Sequence, residues 1–350
     1  MSLSKKTIKR VKTLLGLRPK ESEDRLFNRI EIFGACPASC PFCHSGSEKY
    51  RTDRVLTPDS FRRIIEHLGN INLLTSNIYL YDRGEPFHHE RIGEILDICR
   101  QKSLNAYIST NASKIPKLTR DQWDTIKVIK VSLSGVTDES YYKIYRMDLS
   151  KVLANIESIA NQVNSQKTKL VINWLRYRFN LEEEKVAKNM FGRLGFRVDA
   201  KNATLIQMEK IIAFLENRLS ESDSNLLREY LIEDDKRNPF LSRMKRVSLA
   251  KHHSGIVCEQ WNQIIVNWNG ELLKCCGLSP EDPDNRLGTI LDLDYPAIRS
   301  RKFEINRICG SCISHGIAKP TNSRWKMMWN LAGRKLNDNI AGRDDKPSRT

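Results

Sequence analysis

Between residues 28 and 205 the sequence alternates six short β-rich runs with amphipathic stretches, and this alternation limits the fold more than any other feature. The runs cover 29–33, 77–81, 105–109, 128–133, 169–175 and 196–205. Helical stretches lie between them, the first opening at Thr57-Pro58-Asp59, a capping residue followed by proline at the first helical position. Others are expected at 89–102, 138–145, 149–163 and 181–194. Strands and helices alternating at this spacing imply parallel βαβ units. Six such units make either a doubly wound sheet or an incomplete barrel, and in both the loops at the carboxyl ends of the strands carry the chemistry. Neither G-x-G-x-x-G nor a P-loop occurs, so the ordinary nucleotide-binding folds lose support.

Residues 207–250 are charged and helix-like, with apolar pairs Ile211/Ile212, Phe214/Leu215 and Leu226/Leu227, and read as a helical connector. A β-like stretch at 263–268 then runs into Asn269-Gly270, a hairpin signal. The net charge of +16 suggests a polyanion partner at first sight. Its distribution argues otherwise. Residues 1–20 carry seven Lys or Arg and no acid, and 319–350 carry eight basic and three acidic residues, so the tails hold +12 of the total. The first of these tails also lacks the interleaved aromatics on which single-stranded nucleic acid stacks, whereas the second carries only Trp325 and Trp329.

No apolar run approaches the ~18–20 residues of a membrane span, and no signal peptide opens the chain, so a cytoplasmic protein is expected. Within the N-terminal segment 1–27, Ile8, Val11, Leu14 and Leu15 recur at helical spacing among the basic residues. Such a helix either docks on the domain or, through residues 1–20, makes a peripheral contact with an anionic membrane surface.

Nine cysteines in such a chain are metal or redox ligands before they are disulfides. Cys99 stands alone and is expected to be a small core residue. Cys36, Cys40 and Cys43 form a C-x3-C-x2-C loop directly after the first strand. Iron–sulfur clusters are normally held by four cysteines, so three leave one corner open. A structural zinc site, the competing reading, asks for four ligands.

This loop resembles the signature of the radical S-adenosylmethionine (SAM) enzymes, whose three cysteines bind a [4Fe–4S] cluster while the fourth iron chelates SAM. Phe42 is similar to the family residue packed near the adenine. Tyr81-Asp82-Arg83-Gly84-Glu85-Pro86 resembles the Gly-Gly-Glu-Pro motif that lines the methionine amino group, with Arg83 at the first glycine. That motif would place Gly84, Glu85 and Pro86 beside SAM. Later strand ends follow more loosely: Asn111 after the third, and Ser132-Leu133-Ser134-Gly135 after the fourth, where Ser134 replaces an acid. Arg146 stands where several relatives place an arginine that reaches the SAM carboxylate. The resemblance covers roughly residues 28–206 and implies a partial (β/α)6 TIM-like barrel.

The later cysteines continue the likeness. Cys258, Gly270 and Cys275 fit the C-x(9–15)-G-x4-C opening of the SPASM/twitch extension, and Leu287-Gly288-Thr289-Ile290 resembles its Leu-Gly-Asn-Ile turn. Cys309 and Cys312 close the set as C-x2-C. A cysteine-rich SPASM/twitch-like domain over 251–318 is therefore expected, with Cys258, Cys275, Cys309 and Cys312 holding one auxiliary [4Fe–4S] cluster. A zinc ribbon of the same four residues is the alternative. Cys276 either replaces Cys275 as ligand or remains a free thiol and candidate hydrogen-atom donor.

The resemblance implies reductive cleavage of SAM, fed by a donor such as flavodoxin or ferredoxin, and hydrogen abstraction from a substrate by the 5′-deoxyadenosyl radical. Residues 1–27 leave little room for a peptide-recognition domain, which tilts the expectation towards oxidation or epimerisation of a sugar-like small molecule. Radical epimerisation or crosslinking of a ribosomally made peptide is the alternative. A non-catalytic, zinc-stabilised nucleic-acid-binding protein would explain the basic charge and the cysteines, but not the order of the motifs.

Overall fold

The computed structural model describes residues 27–47, 50–232, 258–315 and 317–318. Both basic tails and part of the connector lie outside these residues, as does the expected N-terminal helix. Six strands, β1 (Phe27–Ile30), β2 (Asn77–Tyr79), β3 (Asn105–Thr110), β4 (Ile126–Ser132), β5 (Lys169–Arg176) and β6 (Arg197–Asn202), lie side by side in chain order. Each is parallel to its neighbour. A doubly wound sheet reverses its strand order at a switch point. This one does not reverse between β1 and β6, so the architecture is the open barrel.

The helices form where the sequence caps them. In α1 (Pro58–Asn70) the Thr57 hydroxyl accepts the Ser60 N–H at 3.1 Å, and Phe61, Ile64, Ile65 and Leu68 bury one face. Asp148 caps the helix at Leu149–Gln162 in the same way. The helices at Asp138–Tyr145 and Glu183–Arg193 complete the expected set. Between β3 and β4 lies a short helix that periodicity misses, α2 (Arg120–Thr125). Its Thr119/Gln122 capping box was legible, and it seats Trp123 edge-on to Phe87 with ring centroids 6.2 Å apart.

The helix expected from residue 89 begins at Ile92, because Pro86–His88 forms a short 3-10 turn. His89 is consumed at that junction. Its Nε2 meets the Leu56 carbonyl at 2.9 Å and its Nδ1 accepts the Arg91 N–H at 3.1 Å, so it is a buried structural residue and not part of the barrel mouth.

The C-terminal cysteine region does not stand apart. β7 (Gln263–Val266) pairs in parallel with β1, Phe27 opposite Gln263 and Ile30 opposite Val266. β8 (Glu271–Leu273) and β9 (Arg286–Thr289) follow antiparallel, so one sheet runs from the barrel into the cysteine region. The Asn269-Gly270 turn is where it was expected. Gly270 has φ +77°, and the Asn267 side chain accepts the Asn269 and Glu271 N–H groups. Two further helices, α3 (Tyr295–Phe303) and α4 (Arg307–Ser314), pack after β9, with Cys309 and Cys312 one turn apart on α4. Of the connector, helices Met208–Leu215 and Glu221–Tyr230 are described. Among the described residues no helix is long and apolar enough to cross a membrane.

Candidate active site

The three-cysteine loop leaves the end of β1 and is wound tightly by its own backbone. The Cys43 N–H donates to the Cys40 carbonyl at 3.2 Å and the Gly46 N–H to that of Cys43 at 3.2 Å. A side chain at Gly46 would stand 2.1 Å from the Cys40 carbonyl oxygen, so only glycine closes the loop this way. The Ser39 N–H donates to the Tyr145 carbonyl, fastening the loop to the far side of the barrel.

The sulfurs of Cys36, Cys40 and Cys43 lie within electrostatic reach of one another. Burial pushes the Cys36 thiol up to about 12, with Glu85 and Cys43 adding to it, and raises Cys40 in the same way. Three half-buried thiols stand beside each other, and a metal that binds thiols deprotonates them. Among the described residues no three such side chains close around a single ion. A cubane asks for something different, one iron for each thiolate.

The Gly-Glu-Pro turn presses directly on this loop. A side chain at Gly84 would stand 1.8 Å from the Phe33 carbonyl oxygen and 2.9 Å from the Ala35 nitrogen, and the Glu85 N–H donates to the Ala35 carbonyl at 2.8 Å. Glu85 is buried, and its carboxylate accepts the Thr110 hydroxyl at 2.5 Å, the Asn111 N–H at 2.6 Å and the Phe87 N–H at 3.2 Å. Burial pushes its carboxyl up to about 7, against those three donors. Asn111 completes the link, its amide donating to the Cys36 sulfur at 3.3 Å. Cys36, Gly84, Glu85, Pro86 and Asn111 therefore form one contiguous group at the ends of the first three strands.

Glu31 and Tyr50, beside this group, escaped the sequence reading. Glu31, 3% exposed, accepts the N–H groups of Arg83 and Gly84 at 2.9 and 3.0 Å. An acid inside the apolar run Ile30-Glu31-Ile32-Phe33 was the available signal. Burial, then the charge of Asp82, pushes Glu31 up to about 7. Tyr50 donates to or accepts from His88 Nδ1 at 2.7 Å, and His88 Nε2 meets the Ser113 hydroxyl at 2.9 Å, a polar chain beside Asn111. Burial, then Lys114 and Lys151, lowers His88 to about 4.

The remaining predicted residues are more scattered. Phe42 is buried against Tyr177, with centroids 6.3 Å apart, and edge-on to Tyr230 of the connector at 5.9 Å. Ser132 ends β4. The Ser134 hydroxyl, fully buried, accepts the Leu175 N–H at 3.0 Å and the Tyr145 hydroxyl at 3.2 Å, so it holds strand ends together. Arg146 sits at a helix end with φ +57°, its guanidinium 5.3 Å from the centre of the exposed Tyr142 ring.

The second cysteine group adjoins the first. The Trp268 indole lies flat on Gly34, where an added side chain would stand 1.9 Å from it. His44 Nε2 meets the Gly277 carbonyl at 3.3 Å. Arg83, at the position of a glycine in the motif it resembles, sends its guanidinium to the carbonyls of Cys276 and Leu278. Cys258, Cys275 and Cys309 all act on the Lys274 ammonium. Asn306 caps α4 by accepting the Cys309 N–H at 2.8 Å. Cys275 packs with Met208, Leu278 and Ile308, whereas the Cys276 thiol donates to Gln260 at 3.3 Å. The Cys275 thiol, and after it the Arg29 and Arg83 guanidiniums, hold Cys276 below the usual thiol range.

A parallel open barrel with a three-thiol loop at its first strand end, backed by a glycine-acid-proline turn, defines a class of cluster-bearing enzyme domain. Residues 30–186 match the model of the Radical SAM superfamily, and the chain carries a domain of that superfamily. The superfamily's cofactors are a [4Fe–4S] cluster and SAM, and the donor set and the glycine cradle fit them. Among curated proteins, a probable GTP 3′,8-cyclase of Thermococcus kodakarensis is 24% identical over 41% of this chain and 47% of its own length. The PqqA peptide cyclase of Bradyrhizobium diazoefficiens is 24% identical over 44% of this chain and 40% of its own. The chain thus matches about half the length of these relatives. Among solved structures, Streptococcus suis SuiB bound to its precursor peptide SuiA superposes with a TM-score of 0.55 at 15% identity, over 88% of this chain and 72% of that one. The fold likeness therefore extends beyond the barrel into the C-terminal region.

Proposed function

We propose that this protein is a radical SAM enzyme with one auxiliary cluster that modifies a peptide or a small hydroxylated molecule through a substrate radical. The observation that carries it is the contiguous group of Cys36, Gly84, Glu85 and Asn111 at adjoining strand ends, joined by hydrogen bonds and by backbone packed so closely on Gly84 that no side chain would fit there. When bound and reduced, the cluster on Cys36, Cys40 and Cys43 supplies the electron that splits SAM into methionine and a 5′-deoxyadenosyl radical. The protein's own part is orientation and exclusion of water. The backbone at Arg83-Gly84 approaches SAM while Glu31 fixes those two N–H groups from beneath. Glu85 fixes Asn111, which fixes Cys36. Phe42, with Tyr177 and Tyr230, would offer an apolar wall for the adenine, and Arg146 would be the cation for the SAM carboxylate. Cys258, Cys275, Cys309 and Cys312 hold the auxiliary cluster in this reading, with Cys276 as the spare thiol.

The peptide arm gains support from the PqqA cyclase and SuiB, whose names record peptide substrates. Anaerobic protein should contain about eight iron and eight sulfide per chain for two cubanes. Replacing Cys36, Cys40 and Cys43 together by Ala should remove about half of that iron and all 5′-deoxyadenosine formation. SAM cleavage that survives in the triple variant would defeat the assignment. Incubation with SAM, reductant and separate panels of peptides, nucleotides and sugars, read by mass spectrometry, separates the substrate arms.

A further inference from the structure

Two lysines are buried between the segment that leads into Cys275 and the helix that precedes Cys309. Lys274 and Lys302 are each 1% exposed. An ammonium taken out of water is strongly disfavoured unless an opposite charge compensates it. Among the described residues, the hydrogen bonds of both go to backbone carbonyls and none to a carboxylate. Lys274, directly after β8, donates to the carbonyls of Arg301 and Glu304 at the end of α3. Lys302, in the last turn of α3, donates back to the carbonyls of Leu273 and Lys274 at 3.0 and 2.7 Å. Each lysine thus clasps the segment that carries the other. One segment runs into Cys275 and the other into Cys309 and Cys312.

The groups whose charges act on these ammoniums are mostly thiols. For Lys274 they are Cys309, Cys258 and Cys275, with Glu304; for Lys302 they are Cys275, Cys276 and Cys258, with Lys274 itself opposing. Lys274 also lies 5.8 Å from the centre of the Trp261 ring, in the turn that follows Cys258. Each ammonium has three N–H groups and uses two on carbonyls. Two ammoniums are therefore enclosed near Cys258, Cys275, Cys276 and Cys309, and the acid among the groups acting on them is Glu304.

We infer that Lys274 and Lys302 are the counter-charges of an anionic metal–tetrathiolate centre on Cys258, Cys275, Cys309 and Cys312, and that they raise its reduction potential. This rests on the auxiliary-centre reading above. A [4Fe–4S] cluster held by four thiolates is a dianion when oxidised and gains a further negative charge on reduction. Neighbouring positive charge favours the reduced state, since cluster potentials follow net charge and hydrogen bonding. Four thiolates around a single zinc are a dianion as well, but among the described residues no three such side chains close around one ion, so metal analysis decides which metal is held.

The test uses the full chain with Cys36, Cys40 and Cys43 replaced by Ala, so that only the second centre is observed. Iron, sulfide and zinc analysis comes first. Zinc without iron sinks the auxiliary-cluster reading but leaves the counter-charge claim open to the chelator measurement below. In this background Lys302→Met, Lys274→Met and the charge-keeping Lys302→Arg are compared. With iron present, a redox titration followed by electron paramagnetic resonance should show a lower midpoint in either Met variant and a near-parental one in Lys302→Arg. With either metal, a chelator should strip the Met variants at least tenfold faster than Lys302→Arg. Met variants that keep their metal with unchanged midpoint and stripping rate overturn the inference. So does loss of metal, or of folding by circular dichroism, that is equal in Lys302→Met and Lys302→Arg, because a packing role would then suffice. Loss in the Met variants alone supports it.

Discussion

The guanidinium of Arg83 donates to the carbonyl oxygen of Cys276 at 2.6 Å, and to that of Leu278 beside it. The position where the motif resemblance expects glycine is therefore the one that ties the barrel to the C-terminal cysteine segment. Asp82 steadies the same arginine at 3.5 Å and Arg29 at 2.7 Å. Arg83→Met should retain the parental iron content and lower unfolding stability by about 1.5–3 kcal/mol, the range for hydrogen bonds from a charged donor. Chemical denaturation of both proteins checks this, and equal midpoints would mean that the bridge contributes nothing.

Gly84 leaves no room for a methyl group, because its neighbours are backbone atoms that cannot swing aside. Gly84→Ala should cost about 3 kcal/mol, the upper end for overpacking. It should also reduce iron content, since the displaced chain is the one that leads into Cys36. A variant with parental stability and iron would show that the turn yields without strain.

Glu31 gives a pH signature. Its carboxyl is raised from 4.5 to about 7 in the folded protein, burial being the first cause and Asp82 the second. The folded chain then holds a proton that the unfolded chain has already lost. The resulting stabilisation is complete below the unfolded value and disappears as pH rises through the folded value. Glu85, raised to about 7 by burial, acts in the same direction. Stability should therefore fall from about pH 5 to about pH 8. Glu31→Gln keeps an acceptor for the Arg83 and Gly84 N–H groups and should flatten part of that slope. An unchanged slope in urea melts across this range would remove Glu31 as its source.

Glu85 joins the Asn111 backbone to the turn, so its effect on SAM is expected through placement. Glu85→Ala should keep the iron on Cys36, Cys40 and Cys43 and weaken SAM binding by ~1.5–3 kcal/mol. Glu85→Gln, which keeps an acceptor, should recover most of the loss. Anaerobic calorimetry measures both, and an unaltered affinity in the Ala variant would reduce the motif to a turn.

The basic segment makes a separate claim. If residues 1–20 lie on an anionic surface, full-length protein should float with vesicles rich in anionic lipid, and salt should release it. A chain shortened by those residues should not float. Full-length protein that ignores such vesicles at low salt would leave docking on the domain as the remaining reading.

The barrel was legible because six β-rich runs and five capped or periodic helices repeat one local rule, and Cys36, Cys40 and Cys43 mark its first strand end. What was missed depends on contacts remote in sequence. α2 is too short for a period, though its capping box was visible. The part of Glu31 depends on a turn 52 residues away. Ser134 reads as a ligand candidate until Leu175 and Tyr145 claim its hydroxyl. The pairing of β7 with β1 could not be inferred from a hairpin signal, which specifies β7 with β8 and nothing beyond.

That pairing also bears on how the chain is made. The first strand has one neighbour early, β2, and its other, β7, only after the chain has reached Val266. Until then one edge of β1, the strand that leads into the first cysteine loop, has no partner during synthesis. Contacts this distant in sequence form slowly, and unpaired edges invite aggregation while they wait. The second cysteine group arrives with the strand that covers that edge. Chains that stop short of β7 should therefore be prone to aggregation at the uncovered edge of their first strand.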